Sequence, residues 1–225
     1  MLTSPSAKTA EILALIGENS RSITAPREDI VHLCIDVEAA FADHLGDEFC
    51  QSVGEFIDLT RSRVTGIRVS HAGVTSAGKM HLGRVHACPE QDGQQPSGYE
   101  KTFPYAPPRA GELVLHKAAN DAFQNTDLED FLKDIEQRIG KKPTIIVSGC
   151  FVSSDGLFER PILQCMDHTI LSALLRGYSV VVAEDRAFAY GEGQTVSWDR
   201  FNKHPLCKGQ LVAAPAQDIA AALCL

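Results

Sequence analysis

Strand-like and helix-like segments alternate along this chain, and that alternation constrains its fold more than any other feature. A strand followed by a helix and then another strand returns parallel to the first, so repetition builds a parallel sheet with helices on both faces. Residues 30–37, IVHLCIDV, form an apolar, β-branched run without polar alternation, as a strand buried on both faces requires. From 47 to 63, Phe49, Val53, Phe56, Ile57 and Thr60, with Val64 beyond them, recur at steps of three and four, the period of one helix face. Ile67–His71 and Leu113–His116 read as the second and third strands, separated by a Gly-, Pro- and Gln-rich segment, about 72–111, that reads as loop.

The second half continues the pattern. Thr126-Asp-Leu-Glu129 has the form of a capping box opening a helix whose apolar face is Leu128, Phe131, Leu132, Ile135 and Ile139. Gly140 and Pro143 stop that helix, and the fourth strand follows over 144–148. Cys165–Arg176 reads as a helix ended by Gly177, Ser179–Ala183 as strand five, Gln210–Ala213 as strand six, and Pro215–Leu223 as a closing helix. The expected fold is therefore α/β, a three-layer α/β/α sandwich of Rossmann-like type around a six-stranded, mostly parallel sheet.

Composition narrows the function. With 225 residues, 44% of them hydrophobic and 22% charged, the chain suits one ordinary domain with a sizeable core. A formal net charge of −8 argues against nucleic acid as a partner, and no basic cluster suggests a membrane surface. The seven cysteines, at 34, 50, 88, 150, 165, 207 and 224, are odd in number and form no CxxC pair, which points to a reduced, cytoplasmic setting. The first residues, MLTSPSAKTAEILALIGENS, lack a basic start before a continuous apolar run and read as a helix, with Ala10, Leu13 and Ile16 joined by Ile12 and Leu15 on an apolar stripe.

Three reactive side chains fall at the carboxyl ends of expected strands, where open α/β sheets bind ligands. Asp36 ends strand one, Lys117 follows strand three, and Cys165 opens the helix after strand four. A helix start with a nearby cation lowers a thiol from about 8.5 toward the ~3.5–7.5 range, so Cys165 reads as a nucleophile present as thiolate and open to selective alkylation at neutral pH. Asp36 is then the proton carrier and Lys117 the charge that holds the pair. Backbone N–H groups at the start of the Cys165 helix are the expected oxyanion donors.

Three segments carry a family resemblance. IDVEAAF (35–41) resembles an Asp-x-Gln-x-x-Phe motif, with Glu38 in place of the Gln; GELVLHKAANDAFQNTDL (111–128) resembles a strand, a Lys and an Ala-Phe-x-x-Thr-x-Leu tail; CMDHTILSALLRGYSVVVAEDR (165–186) is similar to a Cys with Thr at +4, Ala at +8 and Gly at +12. These are motifs of the isochorismatase-like cysteine hydrolases, a superfamily that includes isochorismatases, nicotinamidases and carbamoylsarcosine amidases. The resemblance implies an Asp36–Lys117–Cys165 triad that hydrolyses C–N bonds of small amides or ureido compounds through an acyl-cysteine, without a cofactor. It also implies a homo-oligomer, a helical extension over 1–25 and a hydrolase domain over 26–225. Phe41 and Phe123, within the motifs, and His168, one turn into the cysteine helix, are the candidates for substrate contact.

The chain departs from the pattern in two further places. Gly149 precedes Cys165 by sixteen residues where the family usually has about six, and FVSSDGLFERPILQ (151–164) fills the gap, with Glu159 and Arg160 as candidates to reach the site. The family also has a non-proline cis peptide in this region. After strand two, SHAGVTSAGKMHLGRVH lacks the Asp-x-His…His metal motif of nicotinamidases; His71 stands alone, and His81, His86 and Cys88 match no standard zinc spacing, so no metal is expected. Tyr99, Phe103 and Tyr105 in the 72–111 segment are candidates to cover the site. Two other functions compete: vinyl-ether hydrolysis without a covalent intermediate, and a non-catalytic interaction module that keeps the fold. Cys165→Ala, Asp36→Asn and Lys117→Ala are each expected to abolish turnover with the fold intact.

Overall fold

The computed structural model describes residues 6–17, 26–71, 82–88, 99–154, 164–190, 196–203, 205 and 207–224. In chain order they form α1 (Ala7–Ile16), β1 (Arg27–Ile35), α2 (Ala39–Leu45), α3 (Asp47–Thr60), β2 (Val64–His71), β3 (Val85–Ala87), α4 (Tyr99–Thr102) and β4 (Leu113–Lys117). The order continues with α5 (Leu128–Ile139), β5 (Thr144–Ser153), α6 (Cys165–Leu175), β6 (Val180–Tyr190), α7 (Asp199–Asn202), β7 (Leu211–Ala214) and α8 (Ala216–Leu223).

Among the described residues seven strands make one sheet in the order β3-β4-β2-β1-β5-β6-β7, parallel except where β3 runs antiparallel to β4. The α/β class and mostly parallel sheet match the expectation; the strand count is seven instead of six. The extra strand, β3, lies inside the stretch read as loop, and three residues are too few for a periodic signal. Val64, read with the helix face, instead opens β2.

Period-two burial sorts the strand side chains onto two cores. Ile30, Ile146 and Val181 pack with Phe56 of α3 and with Ile219 of α8, while Val31, Ile145, Val147, Val180 and Val182 face Leu132 of α5 and Ile170 of α6. α1 lies on α8, so the N-terminal helix docks on its own domain. Ser6 caps it by accepting from Thr9 N at 3.0 Å, and the Ser6 and Thr9 hydroxyls donate to Asp218 at 2.7 and 3.1 Å. Its buried stripe is Thr9, Ile12 and Ile16, whereas Ala10 is exposed.

The expected capping box at 126–129 does not form. α5 is capped by Asp127, whose carboxylate accepts from Val85 N at 2.6 Å, while Glu129 pairs with Arg176 at 2.8 Å and Lys133 at 2.9 Å. The helix start is thus committed to holding β3, a long-range partner invisible to a local pattern. The stop is as read: Gly140 takes the left-handed conformation and its N–H reaches Glu136 O.

β5 and β6 run past the 148 and 183 boundaries read from sequence, to Ser153 and Tyr190. Gly149, in the extended part of β5, has φ 111°, and a Cβ there would lie 2.1 Å from Ile35 O. Only glycine lets β1 and β5 approach so closely at the edge where the site forms.

Candidate active site

The parallel sheet delivers three strand ends to one edge. Asp36 directly follows β1, held there by its N–H to Val69 O at 2.8 Å, and Lys117 is the last residue of β4. β2 lies between those strands, so the two backbones are separated by about 10 Å, two strand spacings. A long side chain is needed to cross that gap, and Lys117 Nζ reaches Asp36 Oδ2 at 2.7 Å with both side chains 0% exposed. Asp36 adopts φ 53°, a left-handed conformation that Asp tolerates better than most residues, and it ends the strand there.

Cys165 opens α6 and is 9% exposed. Its thiol lies against both members of the ion pair and donates toward Asn120 Oδ1 at 3.7 Å. Thr169 ties α6 to the segment after Lys117: its Oγ1 accepts from Ala122 N at 3.1 Å and, within the helix, donates to Cys165 O at 2.8 Å. The Thr at +4 in the cysteine motif therefore sets the distance between the cysteine and lysine segments.

The electrostatics correct one expectation. Burial first, and then the Asp36 charge, push the Cys165 thiol up to about 12, more than Lys117 pulls it down. Burial also opposes the Lys117 charge, but Asp36 and Cys165 outweigh it and hold the ammonium above its ordinary pKa. The resting arrangement is thus a neutral thiol beside a carboxylate–ammonium pair, not a standing thiolate. Fast alkylation of the free protein at neutral pH no longer follows; a base must take the thiol proton as the sulfur attacks, and Asp36 is beside it.

The other candidates fall in different places. Phe41, on α2, meets Phe151 edge-to-face with centroids 5.7 Å apart, in an aromatic group that includes Phe188 and Phe49. Phe123 is 5% exposed in the main core, stacked on Tyr178 at 6.3 Å with the Arg176 guanidinium at 4.8 Å over its ring. His168 is partly exposed on α6, one turn from Cys165. Tyr99 and Phe103 pack beside Cys88 and Val114, and Tyr105 Oη donates to Asp47 at 2.5 Å. Glu159, Arg160 and His81 lie outside the described residues. Among those described, no three His, Cys, Asp or Glu side chains are grouped to hold a metal ion, and no helix is long and apolar enough to cross a membrane.

Sequence reasoning missed a second buried centre behind the nucleophile. Asp167, 0% exposed, accepts at Oδ2 from Ser153 N at 2.8 Å, Ser153 Oγ at 2.6 Å and Gln164 N at 2.9 Å, and pairs through Oδ1 with Arg200. Ser153 lies near the start of the inserted segment and Gln164 at its end, so one carboxylate closes its base. Asp167→Ala is expected to cost about 3 kcal/mol, because it strands three donors and a guanidinium. Asp167→Asn, which keeps an acceptor, should cost less; urea denaturation of both variants checks the order. The peptide between Cys150 and Phe151, at the start of this segment, is cis, and Cys150 Sγ donates to Asp36 O at 3.0 Å.

Comparison with known proteins gives a consistent picture. A family model described as the isochorismatase domain matches residues 31–208. Among solved structures, an isochorismatase family protein from Burkholderia thailandensis superposes with TM-score 0.53 at 18% identity, covering 90% of this chain and 99% of its own. N-carbamoylsarcosine amidase from Thermoplasma acidophilum gives TM-score 0.52 at 18% identity over 83% and 96% of the two chains. YcaC from Pseudomonas aeruginosa gives TM-score 0.52 at 18% identity over 90% and 84%. Comparison with curated protein sequences gives no match.

Proposed function

The chain belongs to the isochorismatase family of hydrolases, and on that footing we propose that it is a cysteine hydrolase opening a C–N bond of a small amide or ureido compound. The observation that carries this reading is the thiol of Cys165 set against the buried Lys117–Asp36 pair, three groups drawn from chain-distant segments to one sheet edge. The N-carbamoylsarcosine amidase among the fold relatives supports the substrate class by analogy.

The mechanism follows from the resting charges. Asp36 accepts the Sγ proton as sulfur bonds to the substrate carbonyl carbon, with Lys117 holding the carboxylate in place through their 2.7 Å contact. The tetrahedral intermediate collapses with cleavage of the C–N bond, and Asp36 returns the proton to the departing nitrogen. Water then attacks the acyl-cysteine, Asp36 takes its proton, and the acid leaves as sulfur is reprotonated. Because the thiol is neutral at rest, substrate binding must come before deprotonation.

A screen of amides and ureides for released ammonia or amine, with intact-mass detection of an adduct at Cys165, tests the proposal. Acylation of Cys165 by a turned-over substrate supports it. Turnover of such a substrate with no acyl-enzyme under rapid quench, and undiminished in Cys165→Ala, rejects the covalent route.

A further inference from the structure

The proposed chemistry leaves one buried acid of the site without a task. Glu38, at the start of α2, is 1% exposed; its Oε1 accepts from the backbone N–H of His71 at 3.0 Å, and its Oε2 has no hydrogen-bond partner among the described residues. The groups that face it are Asp36 from the end of β1, Lys117 from the end of β4 and His71 from the end of β2, with the Cys165 thiol against the ion pair. Asp43 and His44, farther along α2, are exposed.

Among the described residues one ammonium serves this group, and it is already bonded to Asp36 at 2.7 Å. A second carboxylate ion beside it would leave two buried anions on one cation, which low-dielectric surroundings oppose. Burial accordingly pushes the Glu38 carboxyl up to about 8, against the His71 N–H, with Asp36 adding to the rise and Lys117 opposing it. The sign is clear: Glu38 is the neutral acid below that value and an anion above it.

We propose that Glu38 is a positioning residue that gives the site an alkaline limit: as the neutral acid it leaves Lys117 to Asp36, and as an anion it competes for the same ammonium and holds back the thiol. The proposal rests on the reading that Asp36, Lys117 and Cys165 act together. A glutamine, the residue usual at this place in the motif, can keep the His71 N–H on its amide oxygen and never ionises. Glu38→Gln is therefore the conservative variant that separates shape from charge.

The test follows Cys165 alkylation by iodoacetamide, read by peptide mass spectrometry, in the full-length parent and in Glu38→Gln. Between about pH 6 and 7 the two rates are expected to coincide; above about pH 8 the parent should fall behind by about tenfold, the size of a one-unit displacement of the thiol. Superimposable profiles overturn the proposal. Should Cys165 prove unreactive in both proteins, or the variant fail to fold, the carboxyl carbon signal of Glu38 in labelled parent protein decides: a midpoint near 8 upholds it, and one in the ordinary carboxylate range overturns it. Neither measurement needs a substrate, so failure of the amide screen and failure of this inference are distinguishable. With a substrate in hand, the alkaline fall in kcat/KM should disappear in Glu38→Gln.

Discussion

Replacing Cys165 by Ala is expected to lower turnover by about 10⁴-fold or more, the range seen when a covalent nucleophile is lost, while the melting temperature stays within a few degrees of the parent. The two halves of this expectation have separate causes. Chemically, only the sulfur among the three groups suits a carbon–heteroatom bond that water can later break; Asp36 and Lys117 move protons and hold charge. Structurally, the thiol at rest is neutral, so its removal leaves no stranded ion, and the lost sulfur leaves a gap costing about 1 kcal/mol. Thermal denaturation and turnover of a substrate from the amide screen check both. Turnover of that amide within about tenfold of the parent would reject the acyl-cysteine route.

Lys117→Ala behaves differently. The sequence alone led to a variant that is inactive but intact; full burial of the pair changes the second part. Truncating the lysine leaves Asp36 at 0% exposure without its cation, and breaking a buried pair from one side costs about 3–5 kcal/mol. Because the Lys117 pKa is raised, its contribution is present at neutral pH and is lost only as pH climbs past the ordinary lysine range through the folded value. The double variant Asp36→Asn/Lys117→Met removes both charges and should recover at least about 2 kcal/mol of that loss while remaining inactive, a coupling of the size that contacting residues show. Urea denaturation of the single and double variants closes the cycle. Strict additivity would mean that the pair contributes nothing through its mutual contact.

What could be read from the chain, and what could not, divides by the range of the signal. IVHLCIDV and the run through Leu113–His116 announce buried strands by composition alone, and a parallel sheet then places Asp36 and Lys117 at one edge without further information. The sign of the thiol shift was not readable. A helix start and a lysine are visible in sequence, but the 9% exposure of Cys165 and the Asp36 charge beside it arise only in the folded state, and they prevail. α2, α4 and α7 are too short to show a period. Asp167 and Arg200 are 33 residues apart and pair in the interior, so neither neighbourhood hints at the other. Asn120 stands inside a matched motif, yet an exposed polar residue in a turn carries no mark of lying 3.7 Å from the nucleophile.

The junction at Asp167 has a consequence for how this protein can diversify. Both ends of the segment between Ser153 and Gln164 terminate on that one side chain, and the sheet and α6 are complete on either side of it. A chain built this way can lengthen, shorten or rewrite the stretch in between without disturbing the registration of the strands, since doubling such a loop costs only about 0.6 kcal/mol in closure entropy. Substrate preference and catalytic power would then be inherited separately: transplanting the segment from a relative onto the same two anchor points should change which compounds are accepted, and leave the proton transfers as they were.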